Sequence, residues 1–296
     1  MTHPLQSLKA TSPVEEVPHI NERRDGIVSY CQRGKDIIDI AAENCGFEIL
    51  SDAFLLCDKL EKLFIGRNKL RACPESLARL KSLKELYIYG NDLKTLPESL
   101  GELSELKILD LSHQGLVSLP QSIGSLSKLE ILYASNTEIA DLPGSLWQLH
   151  NLRYLNLTDN KLRIIPDEIA NLGKLRELRL YNNDLSEIPE ILCNMKPLRE
   201  LYLKGNQLKA LPENLGALES LEVLDLRNNQ IEVIPESLGQ ASNLIHLDLR
   251  ANHFQTLPES LSRLPNLKKL DLRWSRLRKQ PGWLQTLEDR GCAIYL

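Results

Sequence analysis

Residues 83–105 read LKELYIYGNDLKTLPESLGELSE, and this stretch decides the fold. Its spacing of leucine, asparagine and proline, LxxLxLxxNxLxxLPxxLxxLxx, returns at one fixed interval without insertion or deletion. The first leucine recurs ten times, at Leu60, Leu83, Leu106, Leu129, Leu152, Leu175, Leu198, Leu221, Leu244 and Leu267. All ten copies keep the proline, from Pro74 to Pro281. A period of 23 residues predicts a solenoid of stacked repeats.

The residue types predict the structure of one repeat. The LxL stretch alternates with period two, so it predicts a short strand with inward leucines, and strands of successive repeats would pair in parallel. The asparagine follows the strand, where its amide can satisfy backbone groups of the turn. The proline presets φ on the convex side, and the LPxxLxxL tail predicts one helical or 3₁₀ turn. The expected fold is an α/β solenoid, a horseshoe with a concave parallel sheet and convex short turns.

The repeats set the expected domain boundaries. One further period before Leu60 lies a degenerate first repeat, so eleven units are expected over residues 37–289. Residues 1–19 contain three prolines and few apolar residues, and we expect a flexible tail. Residues 20–36 place Ile20, Ile27, Tyr30 and Cys31 on one helical face, which predicts a helical N-terminal cap. Residues 282–296 predict a C-terminal cap of a short helix and a strand, overlapping the last unit.

Composition excludes several functional classes. The net charge of −4 offers no basic field for nucleic acid, and no run of 18 apolar residues predicts a membrane span. The N-terminus has no apolar signal-peptide core, and the six cysteines form no CxxC pair. We therefore expect a cytoplasmic protein, monomeric by itself, with reduced thiols.

The repeat resembles the 23-residue leucine-rich repeats of the Ras-group intracellular class, which occur in signalling scaffolds. It also looks like the arrays of effectors that intracellular bacterial pathogens, Legionella included, deliver into host cells. The resemblance rests on the ten prolines and on the asparagines Asn68, Asn91, Asn160, Asn183, Asn206, Asn229 and Asn252. The pattern fails at Gln114, Thr137 and Ser275. An effector of this kind would reach the host cytosol without a cleaved signal peptide.

The side chains at the outward strand positions are not needed to form the core, so we expect a partner to bind there. They carry a group of aromatic residues: Phe64, Tyr87, Tyr89, Tyr133, Tyr154, Tyr181 and Tyr202. Six of the chain's eight tyrosines thus lie on one predicted surface, and all seven aromatic residues are predicted to face solvent. Tyrosine is enriched at binding hot spots, which favours partner binding. The alternative is that these tyrosines favour strands and pack on their cross-strand neighbours.

A charged ladder forms the second predicted zone. It consists of Asp225, Arg227, Asp248, Arg250, Asp271 and Arg273, with Lys204, Arg179 and Trp274 nearby. With strands about 4.8 Å apart, three aspartates would stack beside three arginines. One interpretation is a solvated ladder that adds little stability. The other is a docking strip, because arginine forks suit a partner's carboxylates.

No catalytic chemistry is predicted. His246 lies beside the aspartates of the ladder, but no serine or cysteine occupies a neighbouring outward position. The arginines would compete with any cation for the aspartates, so we expect no metal site, and no nucleotide or cofactor motif occurs. Cys45, Cys57 and Cys73 fall at core positions, whereas Cys193 replaces a glycine of the convex segment and is expected to be more exposed.

These observations predict a non-enzymatic module that grips a folded protein on its concave face. We expect it to bind neither nucleic acid nor a membrane. Because one continuous surface suits one tight partner, the interpretation we favour is an inhibitor that occludes the partner's functional site, with Arg179, Tyr181 or Tyr202 as the blocking residue. The alternative is a signalling scaffold or an adaptor that recruits substrates, for example to a ubiquitin ligase. A sensor of small molecules would need a deep pocket, which an open sheet does not predict.

Overall fold

The computed structural model describes residues 15–16 and 26–296. The chain divides into two compact units, residues 1–152 and residues 153–296. Both are built from the predicted repeat, a strand of three residues followed by a turn and a short 3₁₀ helix, and each is described by itself.

The first unit is a mainly parallel sheet. Its strands are β1 (Glu15–Glu16), β2 (Ser29–Arg33), β3 (Asp36–Ala41), β4 (Lys62–Phe64), β5 (Glu85–Tyr87), β6 (Ile108–Asp110) and β7 (Ile131–Tyr133). Strands β3 to β7 pair in parallel with a constant offset of one repeat, as in the register of Asp39 with Lys62. Helix α1 (Asp52–Leu55) precedes four 3₁₀ helices, Glu75–Arg79, Glu98–Glu102, Gln121–Ser125 and Gly144–Gln148.

The second unit repeats this plan. Its strands are β8 (Tyr154–Asn156), β9 (Glu177–Arg179), β10 (Glu200–Tyr202), β11 (Val223–Asp225), β12 (His246–Asp248), β13 (Lys269–Asp271) and β14 (Ala293–Tyr295), all paired in parallel. Its 3₁₀ helices are Asp167–Asn171, Glu190–Asn194, Leu215–Ala217, Glu236–Gln240 and Glu259–Arg263. Helix α2 (Leu284–Asp289) buries Leu284 and Leu287 and leads into β14.

The inward leucines form the core of both units. The middle residue of every strand from β4 to β13 is a leucine, and these leucines are almost wholly removed from water. Each stacks on the equivalent leucine of the next repeat within its unit. Burying one such side chain contributes about 1.5–3 kcal/mol, so the stabilisation accumulates only as repeats stack. The α/β solenoid predicted from the sequence is confirmed.

The repeated asparagine closes each turn with one buried amide. Asn183 donates from Nδ2 to the carbonyl oxygens of Leu157 at 3.0 Å, Leu180 at 3.2 Å and Tyr181 at 3.1 Å. Its Oδ1 accepts from the N–H of Leu162 at 3.0 Å, so the amide links the turns of two repeats. The residue before this position has positive φ in every repeat from Arg67 to Trp274. The chain thereby turns inward and aims the amide at the core.

The predicted N-terminal helix is wrong over the described residues. Residues 29–33 and 36–41 form an antiparallel hairpin that turns at Gly34, whose φ is +68°. An extended hairpin offers backbone groups to the open edge of β4, which a helix cannot do. The spacing of Ile27, Tyr30 and Cys31 suits a helical face, but the β-branched Ile27 and the aromatic Tyr30 are residue types that also suit strands. The predicted tail and residues 20–25 lie outside the described residues, apart from Glu15–Glu16, which form β1 and pair with Ser29 and Tyr30.

Gln114 interrupts the buried amide row of the first unit. Its Nε2 donates to the carbonyl oxygen of Leu111 at 2.7 Å, but its buried Oε1 has no hydrogen-bond partner among the described residues. At the equivalent place one repeat earlier, Asn91 Oδ1 accepts from the N–H of Leu70 at 3.0 Å. The extra methylene group of glutamine therefore leaves one buried acceptor without a donor.

We expect Gln114→Asn to raise the free energy of unfolding by about 1–2 kcal/mol, because a buried acceptor would gain the N–H of Leu93. Urea unfolding of the variant and the wild type, followed by circular dichroism, measures the difference. Asn91→Gln is the matched control and should lower the stability by a similar amount. Equal midpoints for Gln114→Asn and the wild type would contradict this explanation.

Candidate protein-binding faces

The outward face of the first unit carries a small aromatic cluster. The rings of Phe64 and Tyr87 stack at a centroid distance of 4.6 Å and an interplanar angle of 11°. Phe64 is only 2% exposed, so its predicted orientation toward solvent is wrong: Tyr87 covers its ring and β3 flanks its strand. Tyr87 and Tyr133 are half-buried. Cross-strand packing with Tyr87 therefore accounts for the burial of Phe64, whereas Tyr87 and Tyr133 remain partly exposed.

Tyr89 is held over a glycine. A side chain at Gly66 would place its Cβ 2.5 Å from Tyr89 Cε1, so the missing side chain makes room for the ring. The Tyr89 hydroxyl donates to Glu43 Oε1 at 2.9 Å. Burial and the bond to the Glu43 carboxylate raise the pKa of Tyr89 to about 12. Tyr89 is thus a fixed and neutral hydrogen-bonding aromatic side chain.

The second unit has the more elaborate cluster, centred on Arg179. Its guanidinium carbon lies 5.7 Å from the ring centroid of Tyr154 and 5.0 Å from that of Tyr202. Arg179 Nε donates to Glu177 Oε1 at 2.5 Å, which fixes the side chain from below. Tyr181 meets Tyr202 edge to face at 5.3 Å. We call these four residues, Tyr154, Arg179, Tyr181 and Tyr202, the arginine–tyrosine cluster.

The surroundings of Tyr181 and Tyr202 keep both hydroxyl groups protonated. Tyr202 donates to Glu200 Oε2 at 2.5 Å, and burial together with that carboxylate raises the pKa of Tyr202. Burial and the nearby Asp225 raise the pKa of Tyr181. The cluster therefore presents one cation, held by a carboxylate at its base, and neutral aromatic rings. Arg179 keeps 37% of its side chain exposed and can still meet a partner.

The charged ladder is paired within itself. Arg250 binds Asp248 through Nη2 at 2.6 Å and also reaches Asp271 Oδ2 from Nε at 3.3 Å. Arg273 binds Asp271 at 2.7 Å. Asp271 has no exposed surface; burial alone would raise its pKa, but the two arginines lower it. Arg250 and Arg273 are thus paired with carboxylates of the ladder itself.

The end of the ladder at Asp225 and Arg227 is less tightly paired. Arg227 Nε lies 3.2 Å from Asp225 Oδ2. Burial raises the pKa of Asp225 against the attraction of Arg227. Lys204, which continues the basic row, is half-buried. A partner's carboxylate along this strip would compete with the ladder's own aspartates for the arginines.

Trp274 stands at the end of the ladder. Its side chain is 74% exposed and its backbone has positive φ, a conformation that costs a bulky residue energy. The guanidinium carbon of Arg273 lies 5.5 Å from the Trp274 ring and 5.2 Å from the Tyr295 ring. An exposed tryptophan that adds nothing to the core is a candidate binding residue.

Several supporting residues were not predicted from the sequence. Glu85, Glu177 and Glu200 each bond the aromatic or arginine side chain two residues later, at Tyr87, Arg179 and Tyr202. The ELY and ELR triplets carry this signal, since residues two apart on a strand share a face. Glu43, Gly66 and Tyr295 belong to other repeats or lie outside the pattern. Sequence spacing alone does not bring them to Tyr89 and Arg273.

Nucleophilic and metal chemistry finds little support among the described residues. Cys193, predicted to be more exposed, is buried, and burial with the nearby Glu190 raises the pKa of its thiol to about 12. Burial and Glu75 raise the pKa of Cys73 to about 12 as well. A thiol with so high a pKa is not a thiolate at neutral pH. Over residues 15–16 and 26–296, no three His, Cys, Asp or Glu side chains gather as metal ligands.

Comparison with known proteins agrees with the repeat architecture. A family model described as a leucine-rich repeat region matches residues 190–289. A second model, described as a leucine rich repeat, matches residues 104–162. A third model, also described as a leucine rich repeat, matches residues 82–103 and 174–195. The chain is therefore a leucine-rich-repeat protein. No curated protein matches its sequence.

Solved structures with similar folds come from bacteria and plants. The LRR protein LIC12759 of Leptospira interrogans is 26% identical, with a TM-score of 0.51 over 86% of this chain and 83% of that one. The plant peptide hormone receptor RGFR1, solved in complex with RGF2, is 27% identical, with a TM-score of 0.70 over 84% of this chain and 39% of that one. InlJ of Listeria monocytogenes is 18% identical, with a TM-score of 0.75 over 88% of this chain and 53% of that one. At this identity the likeness shows the fold alone.

We expect the free energy of unfolding of Tyr89→Phe to fall less at alkaline pH than that of the wild type. The folded-state pKa of about 12 exceeds the ordinary value of 10, so the stabilisation is complete below pH 10 and is lost as pH rises through 12. The free energy of unfolding, measured by urea titration at pH 9, 10, 11 and 12, should fall less in the variant. Glu43→Gln, which keeps a hydrogen-bonding group without the charge, should fall between the two. Parallel curves for Tyr89→Phe and the wild type would rule out this role.

Proposed function

We propose that this chain is a non-enzymatic module that grips a folded protein on the outward faces of its strands, and that binding occludes a functional site of that partner. The observation that carries the proposal is the arginine–tyrosine cluster of the second unit. There, ring contacts and a carboxylate fix a partly exposed guanidinium between two tyrosines. Aromatic and arginine side chains on a rigid sheet are the composition of binding hot spots.

The mode of recognition follows from the charges at the cluster. Arg179 keeps spare donors beyond its bond to Glu177, because a guanidinium has five N–H groups. A partner carboxylate, or a backbone carbonyl group at a loop tip, would complete them while its apolar atoms cover Tyr181 and Tyr202. The ladder beyond contributes less in this proposal, because its arginines are already paired.

We also propose that the chain acts in a reducing compartment. All six cysteines are free thiols, which suits a reducing compartment such as the cytoplasm. None of the described helices is both long and apolar enough to cross a bilayer. Delivery into a host cell, as for effectors of intracellular bacteria, rests on the repeat type alone. The solved relatives include a plant peptide hormone receptor in complex with RGF2, so this fold also serves recognition in other settings.

We expect Arg179→Ala with Tyr202→Ala to weaken binding of the partner at least tenfold, because both substitutions remove hot-spot contacts. Affinity purification from a cytosolic lysate, with wild type and variant as bait, identifies the partner, and calorimetry on the purified pair gives the dissociation constants. Lys196→Ala with Glu219→Ala is the matched control, since it removes an exposed ion pair elsewhere in the same unit. Thermal unfolding of all three proteins verifies that they fold alike.

Adding the protein to its purified partner then tests occlusion. Wild type should suppress the partner's activity at equimolar ratio, and the double variant should not. A complex that stays fully active would instead identify a scaffold, and a co-purified ubiquitin ligase would identify an adaptor. Equal affinity of the double variant and the wild type would remove the arginine–tyrosine cluster from the binding site.

A further inference from the structure

The second unit has a groove away from its outward strand face. It is formed where three successive LxxLP segments lie side by side, and it has a volume of about 450 Å³. Leu211, Ile234 and Leu257 are buried there, whereas Val233 between them is 67% exposed. The core needs no side chain that leaves this much apolar surface in water.

Three glutamates, Glu213, Glu236 and Glu259, are among the residues that line the same groove. All three residues are exposed. Within the described part of the chain, no hydrogen bond or ion pair occupies their side chains. No lysine or arginine lines the groove, so the apolar floor is bordered by negative charge alone.

The same repeat position has a structural task elsewhere. Glu98 accepts from the backbone N–H groups of Gln121 at 3.0 Å and Ser122 at 2.7 Å. Glu190 accepts from the backbone N–H of Glu213 at 2.9 Å. These glutamates cap the turn of the following repeat, whereas those of the groove do not. The groove carboxylates are therefore left free to meet another molecule.

We propose that this groove binds an extended segment of a partner protein in which basic and apolar residues alternate. The basic side chains would pair with Glu213, Glu236 and Glu259, and an apolar side chain would cover Val233. Charge complementarity selects this occupant, because a neutral or acidic segment would leave three carboxylates unpaired against it. The lining offers acceptors and one hydroxyl, at Thr256, with few of the convergent donors typical of small-molecule sites.

This site is independent of the proposed occluding face. It lies on the LxxLP side of the repeats, and none of its residues belongs to the arginine–tyrosine cluster. One chain could therefore hold a folded partner by its strands and an extended segment by its groove.

The test uses a fluorescein-labelled nonapeptide of alternating lysine and valine, followed by fluorescence anisotropy at 0.15 M NaCl. We expect saturable binding at one peptide per chain, and at least tenfold weaker binding to Val233→Ser and to Glu236→Lys. The matched control is Glu232→Lys, an exposed neighbour outside the lining, which should bind like the wild type. A peptide with glutamate in place of lysine should not bind.

The outcomes separate this proposal from the others. Arg179→Ala with Tyr202→Ala should leave peptide binding unchanged, whatever it does to the folded partner. Loss of binding in Glu232→Lys equal to that in Glu236→Lys would show general charge attraction and overturn the site, as would the absence of saturation. Self-association of the wild type that Val233→Ser abolishes, measured by light scattering, would overturn it in favour of contact between two copies.

Discussion

The buried asparagine amide is the constraint on which each repeat depends. A turn that enters the core exposes backbone carbonyl and N–H groups to an apolar surrounding, where an unpaired group costs about 1–3 kcal/mol. One amide such as that of Asn183 satisfies three carbonyl groups and one N–H, so a single side chain closes the turn and fastens it to the previous repeat. With the turn fixed, the strand that precedes it has only one register in which its leucine points inward. The positions of all outward side chains follow from that register.

The outward face is therefore ordered by the core beneath it, and its chemistry depends on position along the chain. In the first unit the face is aromatic, with Phe64 sunk beneath Tyr87. In the second it changes from the arginine–tyrosine cluster to the internally paired ladder. In the ladder Arg250 is shared between Asp248 and Asp271, whereas Arg179 pairs with Glu177 and lies between the rings of Tyr154 and Tyr202. This contrast is why the cluster, and not the ladder, carries the proposed recognition.

Much of the fold could be predicted from spacing, because a leucine that recurs at one unbroken interval permits one stacking arrangement. The strands, their parallel order and the 3₁₀ turns follow from the pattern of Leu, Asn and Pro. The N-terminal hairpin could not be predicted, because it lies outside the period and its residue types suit both a strand and a helical face. At the candidate site, spacing identifies which residues share a face but not how deeply they lie. The burial of Phe64 and the pairing of Arg250 with Asp271 depend on side-chain contacts between strands.

The anchoring of Arg179 has a consequence for the kinetics of any complex formed there. A free arginine on a surface samples many rotamers, and binding freezes them at an entropic cost of about 0.5–1.5 kcal/mol for each such side chain. Here the bond to Glu177 and the flanking rings of Tyr154 and Tyr202 have already selected one rotamer. A docking surface ordered in this way loses little conformational entropy on association. The resulting increase in affinity appears as a long residence time of the bound partner, because the association rate is still set by diffusion and charge.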